Sequence, residues 1–124
     1  MYKIEFYEDK NGYSETAGYI RALSCREDKN SRINLTKIIA YFNELEQYGT
    51  RIGEPITKHL DDDIWELRPL RNRILYAYVE NNTFIILHQF VKKTRKTPVR
   101  EIERAKRNLS DYLRRMQKHD NHME

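Results

Sequence analysis

The chain of 124 residues contains a single cysteine, Cys25, so it cannot form an intramolecular disulfide. Small secreted folds that depend on disulfides are therefore excluded. No apolar run approaches the roughly 20 residues that a membrane-spanning helix needs. The first residues, Met1–Phe6, alternate in polarity and lack the apolar stretch of a signal peptide. These absences predict a cytoplasmic protein without a membrane segment.

Motifs for metal, nucleotide or nucleophilic chemistry are also missing. The chain has no glycine-rich phosphate loop, no His-Glu-x-x-His zinc motif and no serine nucleophile elbow. Cys25 has Arg26 beside it but no nearby histidine, which argues against an activated thiolate. His119 and His122 are three residues apart, and no third ligand lies close by. We therefore expect no metal and no cofactor.

Charge is unevenly distributed along the chain. The net charge is +4, but residues 1–91 carry 12 Lys and Arg against 14 Asp and Glu, whereas residues 92–124 carry 11 against 5. A concentrated positive C-terminal third favours a polyanion or an acidic protein as partner. The alternative is a solvated helix whose Lys and Arg side chains only confer solubility.

Hydrophobic periodicity predicts a strand and two helices in the first half of the chain. Residues 2–6 alternate with the period of a half-buried strand. Ser14 is placed to cap a short helix that ends at residue 23. After a polar connection over residues 24–31, a second helix carries an apolar stripe over residues 33–45 and ends at Gly49. We expect the two helices to form an antiparallel hairpin.

The second half of the chain carries the strongest strand pattern. Residues 50–62 are predicted to form a loop, with a short edge strand as an alternative. Three strands are then expected, namely Ile64–Arg68, Arg73–Val79 and Thr83–Val91. Asn81-Asn82 suits the positive φ angles of a tight hairpin turn. A two-residue turn pairs Val79 with Phe84 and Arg73 with Phe90, which brings Arg73 and Lys92-Lys93 to the same end of the sheet.

A final helix is predicted after this hairpin, with Thr97 as its cap and Pro98 as its first residue. Residues 119–124 are expected to form a frayed, flexible tail. The order β-α-α-β-β-β-α indicates one α+β domain over residues 1–118, in which a strand and a helical hairpin pack on a small, mainly antiparallel sheet.

Basic and aromatic residues gather in the predicted sheet and in the segment after it. Converging guanidinium and ammonium groups form a site for phosphate, and exposed tyrosines can stack on bases. An alternative pairs Arg68 and Arg73 with Glu66 or with Asp61–Asp63 and buries the tyrosines in the core. The cluster comprises Arg68, Arg71, Arg73, Tyr76, Tyr78, His88, Lys92, Lys93, Arg95 and Lys96.

Three sequence segments together resemble the phage-derived, HigB-like branch of the RelE/ParE toxin superfamily. They are Ile-Trp-Glu-Leu-Arg at residues 64–68, Arg-Ile-Leu-Tyr at residues 73–76, and the segment from Leu87 to Pro98 that contains Phe-x-Lys-Lys-Thr-x-Lys-Thr-Pro. The resemblance continues through Glu101, Ile102 and Ala105 and covers nearly the whole chain. It implies a RelE/ParE-like fold.

The resemblance also implies a function. Members of this family are toxins paired with an antitoxin that is usually a helix-turn-helix repressor, and most resemble endoribonucleases that cut mRNA in the ribosomal A site. By this analogy the chain is a metal-independent ribonuclease in which the 2′-hydroxyl attacks the scissile phosphate. It contacts operator DNA only within the antitoxin complex. Two alternatives remain, a ParE-like toxin that inhibits gyrase and a noncatalytic nucleic-acid- or partner-binding protein.

Candidate catalytic residues follow from the resemblance, position by position. Arg73 matches the family's strand arginine near the scissile phosphate, and Lys93 matches the basic residue at the end of the next strand, with Lys92 beside it. Arg68 matches the arginine of the Glu-Leu-Arg segment, and a structural role is equally open for it. The strand lysines of RelE-type enzymes correspond to Ile64 and Glu66, so the proton-transfer half of the site does not carry over.

RNA binding is assigned to a second group of residues. Tyr76 and His88 are candidates for base stacking or proton transfer. Arg95, Lys96 and Arg100 are expected to contact RNA phosphates, which makes binding salt-dependent. The last helix also offers a surface for the antitoxin, and the sequence does not separate these two roles.

Overall fold

A computed structural model describes residues 1–123, with the backbone alone for residues 120–123, and Glu124 lies outside the described residues. The helices are α1 (Glu15–Cys25), α2 (Lys29–Tyr48) and α3 (Val99–Met123), and a 3₁₀ turn (Gly49–Ile52) follows α2. The strands are β1 (Lys3–Phe6), β2 (Thr57–Asp61), β3 (Ile64–Leu67), β4 (Asn72–Val79) and β5 (Thr83–Val91). The predicted α+β class is confirmed.

The strands form a sheet in the order β1-β5-β4-β3-β2, in which β1 runs parallel to β5 and the other neighbours are antiparallel. The α1–α2 hairpin covers one face, where Ile38 joins a core cluster with Ile74. Helix α3 covers the other face, where Ala105 joins a core cluster with Leu75. Because both faces are covered, β4 and β5 are nearly continuous apolar runs.

Local capping explains where the helices begin and end. The Ser14 hydroxyl accepts from the Ala17 N–H at 3.1 Å, and Gly49 ends α2 with a φ of 64°. Both predictions are confirmed. Asp28 accepts from the Ser31 N–H at 2.9 Å and starts α2 earlier than the apolar stripe indicates. The predicted connection over residues 24–31 therefore shrinks to residues 26–28.

The segment over residues 50–62 is not entirely a loop, because it contains β2 at the edge of the sheet. This confirms the edge strand considered as an alternative. The edge pairing ends where Asp61 faces Ile64, after a register shift that follows His59.

The β4–β5 hairpin has the predicted turn but not the predicted pairing beside it. Asn81 and Asn82 have φ angles of 62° and 59°. Val79 pairs with Thr83 instead of Phe84, because Glu80 also belongs to the loop. The prediction of a two-residue turn is therefore wrong by one residue.

A bulge at Leu87 restores the predicted pairing farther along the hairpin. Tyr76 pairs with Ile86 but Leu75 pairs with His88, so Leu87 is the extra residue on β5. Arg73 consequently lies opposite Phe90, as predicted. The bulge also turns residues 88–91 into register with the start of β4, where the candidate site lies.

Helix α3 begins one residue later than predicted. Its first turn starts from Pro98, whose carbonyl accepts from the N–H of Ile102 at 3.4 Å. The predicted cap at Thr97 is wrong, because its hydroxyl donates to Glu66 instead. The helix continues to Met123, so the backbone of residues 119–123 is helical, and the expected flexibility of this tail stays a prediction. Within residues 1–123, none of the helices has the length and apolarity to cross a bilayer.

Candidate active site

Strand alternation places Glu66, Arg73 and His88 on one face of the sheet, beneath the start of α3. Glu66 and His88 both pair with Leu75, one from each side, and therefore project to the same face as Leu75. Arg73 precedes Leu75 by two residues and shares that face. Three polar side chains thus lie on the same, otherwise apolar face of the sheet.

Arg73 is nearly buried, with 6% of its surface exposed. Its Nη1 donates to the carbonyls of Leu70 and Asn72, each at 2.8 Å, and its Nε lies 3.9 Å from Oε1 of Glu66. Burial lowers the pKa of the guanidinium, and the Glu66 carboxylate opposes that shift. A guanidinium stays charged at neutral pH even so.

One terminal nitrogen of this guanidinium has no hydrogen-bond acceptor within the described part of the chain. Nη2 of Arg73 has no acceptor among the described residues. It is not sealed either, because the fully buried side-chain nitrogens and oxygens without a partner in residues 1–123 are His88 Nδ1 and Arg115 Nε. Nη2 is therefore not completely enclosed, although the Arg73 side chain as a whole is only 7% exposed.

Glu66 organises the floor of the site. The carboxylate is 2% exposed and accepts from the Thr97 hydroxyl at 2.5 Å. Nε of Arg68 lies 3.5 Å from it, and Nη1 of Arg68 lies 3.7 Å from the exposed Glu54. Glu66 thus ties the segment before α3 to both arginines of the sheet.

The alternative in which arginines pair with Glu66 is therefore correct for Arg68, and it holds in part for Arg73. The Asp61–Asp63 run has a different partner, since Asp61 and Asp62 bind Lys106 of α3 at 2.6 and 3.1 Å.

His88 forms a pair with Glu101 from the first turn of α3. Its Nε2 lies 2.9 Å from Oε1 of Glu101, while Nδ1 is buried without a partner. The ring of Phe90 lies nearly parallel to the imidazole, with centroids 6.0 Å apart. The carboxylate on Nε2 orients the ring, and the enclosed Nδ1 cannot contact a ligand directly in this arrangement.

The segment after β5 carries several cations at the end of the sheet where Arg73 lies. The Lys92 N–H donates to the Arg71 carbonyl at 2.7 Å, and Nη2 of Arg71 donates to the Lys92 carbonyl at 2.9 Å. This pairing confirms that Arg73 and Lys92-Lys93 lie at the same end of the sheet. Lys92 is half-buried, and the exposed cations are Lys93, Arg95, Lys96 and Arg100.

Two residues predicted to stack on bases are buried. Tyr76 is completely enclosed, with its hydroxyl 2.6 Å from that of Thr57, and burial raises its pKa to about 12. His88 is 7% exposed. Neither ring face is free for a base, because the alternation of β4 and β5 turns both side chains inward. Proton transfer through Nδ1 of His88 requires that this enclosed nitrogen first becomes accessible.

Glu66, Thr97 and Glu101 belong to the site although sequence reasoning did not single them out as functional. Glu66 carries a recognisable signal, since it occupies an inward position of a strand next to an arginine-bearing strand. Thr97 and Glu101 carry none, because their role depends on where α3 crosses the sheet. No group of three or more His, Cys, Asp or Glu in the described part of the chain is arranged to hold a metal ion.

A cavity of about 670 Å³ lies at the other end of the sheet. It is bordered by Asn81 in the β4–β5 turn and by Leu113 and Met116 of α3. Tyr78 of the predicted basic and aromatic cluster also lines it, whereas none of the predicted catalytic residues does. A smaller cleft of about 520 Å³ is lined by Phe90, Lys93, Arg100 and Glu101 and so adjoins the candidate site.

Comparison with known families gives one match. A family model described as "Phage derived protein Gp49-like (DUF891)" matches residues 21–110. This range includes α2 and β2–β5, and with them Glu66, Arg73, His88 and Lys93. A comparison with curated proteins gave no significant match.

Proposed function

We propose that the protein is a ribosome-dependent mRNA endonuclease of a type II toxin–antitoxin system. The premise is that the chain belongs to the phage-derived Gp49-like family, which is a RelE/HigB-like toxin family. The observation that supports this most is the incompletely enclosed Nη2 of the buried Arg73, which has no acceptor among the described residues and lies at the same end of the sheet as the exposed Lys93 and the His88–Glu101 pair. Cleavage of RNA by its own 2′-hydroxyl requires positive charge around the scissile phosphate and a group that exchanges a proton with the reacting oxygens.

Arg73 and Lys93 stabilise the charge that develops on the non-bridging oxygens when the 2′-hydroxyl attacks. Arg73 is pre-oriented by two carbonyls and by Glu66, so it does not reorganise during the reaction. Lys93 is exposed and closes on the phosphate from the loop. A well-placed donor of this kind typically contributes about 3–4 kcal/mol to transition-state stabilisation. Lys92 adds to the local positive potential.

His88 supplies the proton for the leaving 5′-oxygen. The 2′-hydroxyl loses its proton to water as its oxygen bonds to phosphorus, and the bond from phosphorus to the 5′-oxygen breaks, so the products are a 2′,3′-cyclic phosphate and a 5′-hydroxyl. Glu101 holds Nε2 and Nδ1 is enclosed, so Nδ1 delivers the proton only after substrate binding gives it access to the leaving oxygen. Arg68 acts indirectly, because it pairs with Glu66 and Glu54 and so supports the carboxylate that orients Arg73.

The partners in this proposal are the ribosome with its mRNA and a helix-turn-helix antitoxin, through which the complex reaches operator DNA. Arg95, Lys96 and Arg100 are exposed and form no ion pair with the carboxylates of residues 1–119, which suits contact with RNA phosphates.

Expression without an antitoxin, followed by mapping of new 5′ ends on cellular mRNAs, tests the proposal. We expect wild-type protein to generate new ends and arrest growth, and Lys93→Ala and Arg73→Lys to do so much less. Lys3→Ala is the matched control, because Lys3 is an exposed lysine that pairs with Thr83 at the opposite end of the sheet. Growth arrest without new ends indicates a gyrase-type toxin, and the absence of both indicates a noncatalytic protein.

A further inference from the structure

Strand β5 has an edge that no other strand covers beyond the bulge. Its neighbour β1 pairs only with Thr83–Ile86, whereas β5 continues to Val91. The Lys92 N–H points to β4, where it meets the Arg71 carbonyl. Because backbone groups alternate in direction along an antiparallel strand, Gln89 and Val91 direct theirs to the uncovered edge.

Two clefts adjoin along this edge, and Tyr19 of α1 lies between them. The first, of about 520 Å³, is lined by Tyr19, Gln89, Phe90, Lys93 and Arg100. The second, of about 370 Å³, is lined by Tyr19, Arg26, Asn30, Asn34 and Arg71. Val91 also borders both clefts, so Tyr19 and Val91 form their common border, and the two clefts together are called the groove below.

Hydrogen bonds hold the Tyr19 side chain in place at the border of the two clefts. Its hydroxyl donates to Oδ1 of the buried Asn72 at 2.5 Å, and Nδ2 of Asn72 donates to Oδ1 of Asn34 at 2.8 Å. This chain of hydrogen bonds joins α1, β4 and α2, and it holds the half-buried aromatic ring, which packs against the core and also borders both clefts. An aromatic ring that is already held loses little conformational freedom when it stacks on a ligand.

The groove combines cations, amides and aromatic rings. Each cleft has two cations, Lys93 and Arg100 in the first and Arg26 and Arg71 in the second. The carboxylate that lines the first cleft, Glu101, is already bound to His88. Cations beside aromatic faces are the chemistry of single-stranded nucleic acid, in which phosphates follow the charges and bases stack on rings.

We propose that this groove binds single-stranded RNA, with successive nucleotides on the two sides of Tyr19. The first cleft holds the nucleotide nearest the reacting phosphate, because Lys93 and Glu101 line it. The second cleft holds its neighbour, with Arg26 and Arg71 near the phosphate. The inference rests on the proposed function for the identity of the substrate, and it adds the path of the strand and a positioning role for Tyr19 of α1.

Binding is measured by fluorescence anisotropy with a labelled, mixed-sequence octamer of 2′-O-methyl RNA, which cannot be cleaved through the 2′-oxygen. Since stacking on an aromatic side chain contributes about 1–3 kcal/mol per base, Tyr19→Ala is expected to weaken binding by roughly 5- to 150-fold. Tyr19→Phe keeps the ring and is expected to bind within about threefold of wild type. Tyr19→Leu serves where Tyr19→Ala fails to fold, with the same expected loss.

Two further variants sharpen the test. Arg26→Ala removes an exposed cation of the second cleft, so it is expected to reduce the salt dependence of binding by roughly 0.7 log–log units. Tyr48→Ala is the matched control, since Tyr48 is a half-exposed tyrosine at the end of α2 and lines neither cleft. Equal binding by folded Tyr19→Ala and Tyr48→Ala overturns the proposal. Equally tight, Tyr19-dependent binding of a polyglutamate peptide also overturns it, because the groove is then a site for acidic peptides.

The mapping of mRNA ends separates the two proposals. Binding of the octamer that depends on Tyr19, without new mRNA ends in cells, supports the groove and contradicts the nuclease. New ends that Tyr19→Ala and Tyr48→Ala leave equally abundant, with equal octamer binding, contradict the groove and leave the nuclease intact.

Discussion

The buried carboxylate of Glu66 is predicted to hold Arg73 in place, and Glu66→Gln tests this directly. The substitution keeps the volume and an oxygen that can accept from the Thr97 hydroxyl, but it removes the negative charge from a group that is 2% exposed. Arg73, which is 6% exposed, then stays buried without its carboxylate. Breaking a buried ion pair on one side typically costs about 3–5 kcal/mol.

The cost is expected at the lower end, about 3 kcal/mol. Two features of the structure reduce it, since Nη1 of Arg73 keeps its two carbonyl acceptors and the Arg73–Glu66 contact is 3.9 Å long. The measurement is urea-induced unfolding of wild type, Glu66→Gln, Arg73→Met and the double variant. The coupling free energy between the two positions is expected to be about 1–3 kcal/mol.

Glu54→Gln is the control for this cycle. Glu54 is exposed and lies 3.7 Å from Arg68, so losing its charge is expected to change the free energy of unfolding by less than about 1 kcal/mol. The reasoning is refuted where the effects of Glu66→Gln and Arg73→Met add within about 0.5 kcal/mol, because additive effects mean that the two side chains do not stabilise each other.

Three further predictions concern His88, Tyr76 and Asp111. His88→Ala is expected to slow cleavage on programmed ribosomes by roughly 100-fold or more, as for loss of a general acid, and Glu101→Gln by less. Tyr76→Phe is expected to destabilise the fold by about 1 kcal/mol in urea unfolding without affecting cleavage, because the lost hydroxyl bonds only within the core. Hydrogen bonds from Tyr7 and the neighbouring arginines hold the pKa of Asp111 at about 2, below its ordinary value of 3.8. The stabilisation from this carboxylate is therefore present above pH 3.8 and is lost as pH falls toward 2, so the difference in Tm between wild type and Asp111→Asn should shrink over that range.

The elements that were predictable from sequence are those with local signals. Ser14 and Gly49 mark helix ends by their own chemistry, and Asn81-Asn82 marks the turn because both residues tolerate positive φ. The bulge at Leu87 has no such signal, since it depends on how β5 packs against both β4 and α3. The pairing of Arg73 with Phe90 was therefore predicted correctly, although the predicted register beside the turn was wrong by one residue.

The candidate site was predictable only in part, for a similar reason. Arg73 and Lys93 are recognisable from the strand pattern and the family resemblance. The partners that position the reactive groups come from the crossing of α3 over the sheet, which brings Thr97 to Glu66 and Glu101 to His88. Composition alone does not show whether an aromatic residue is exposed. Tyr76 was predicted to stack on bases because it belongs to a basic cluster, but it is a core residue.

The central claim is that Arg73 and Lys93 stabilise the charge on the scissile phosphate, and single-turnover cleavage of mRNA on programmed ribosomes measures this. Arg73→Lys and Lys93→Ala are each expected to slow the chemical step by roughly 100- to 1,000-fold, as for loss of one charge-stabilising donor. Lys3→Ala is expected to stay within about twofold of wild type. Cleavage by either folded site variant at the wild-type rate would contradict the account.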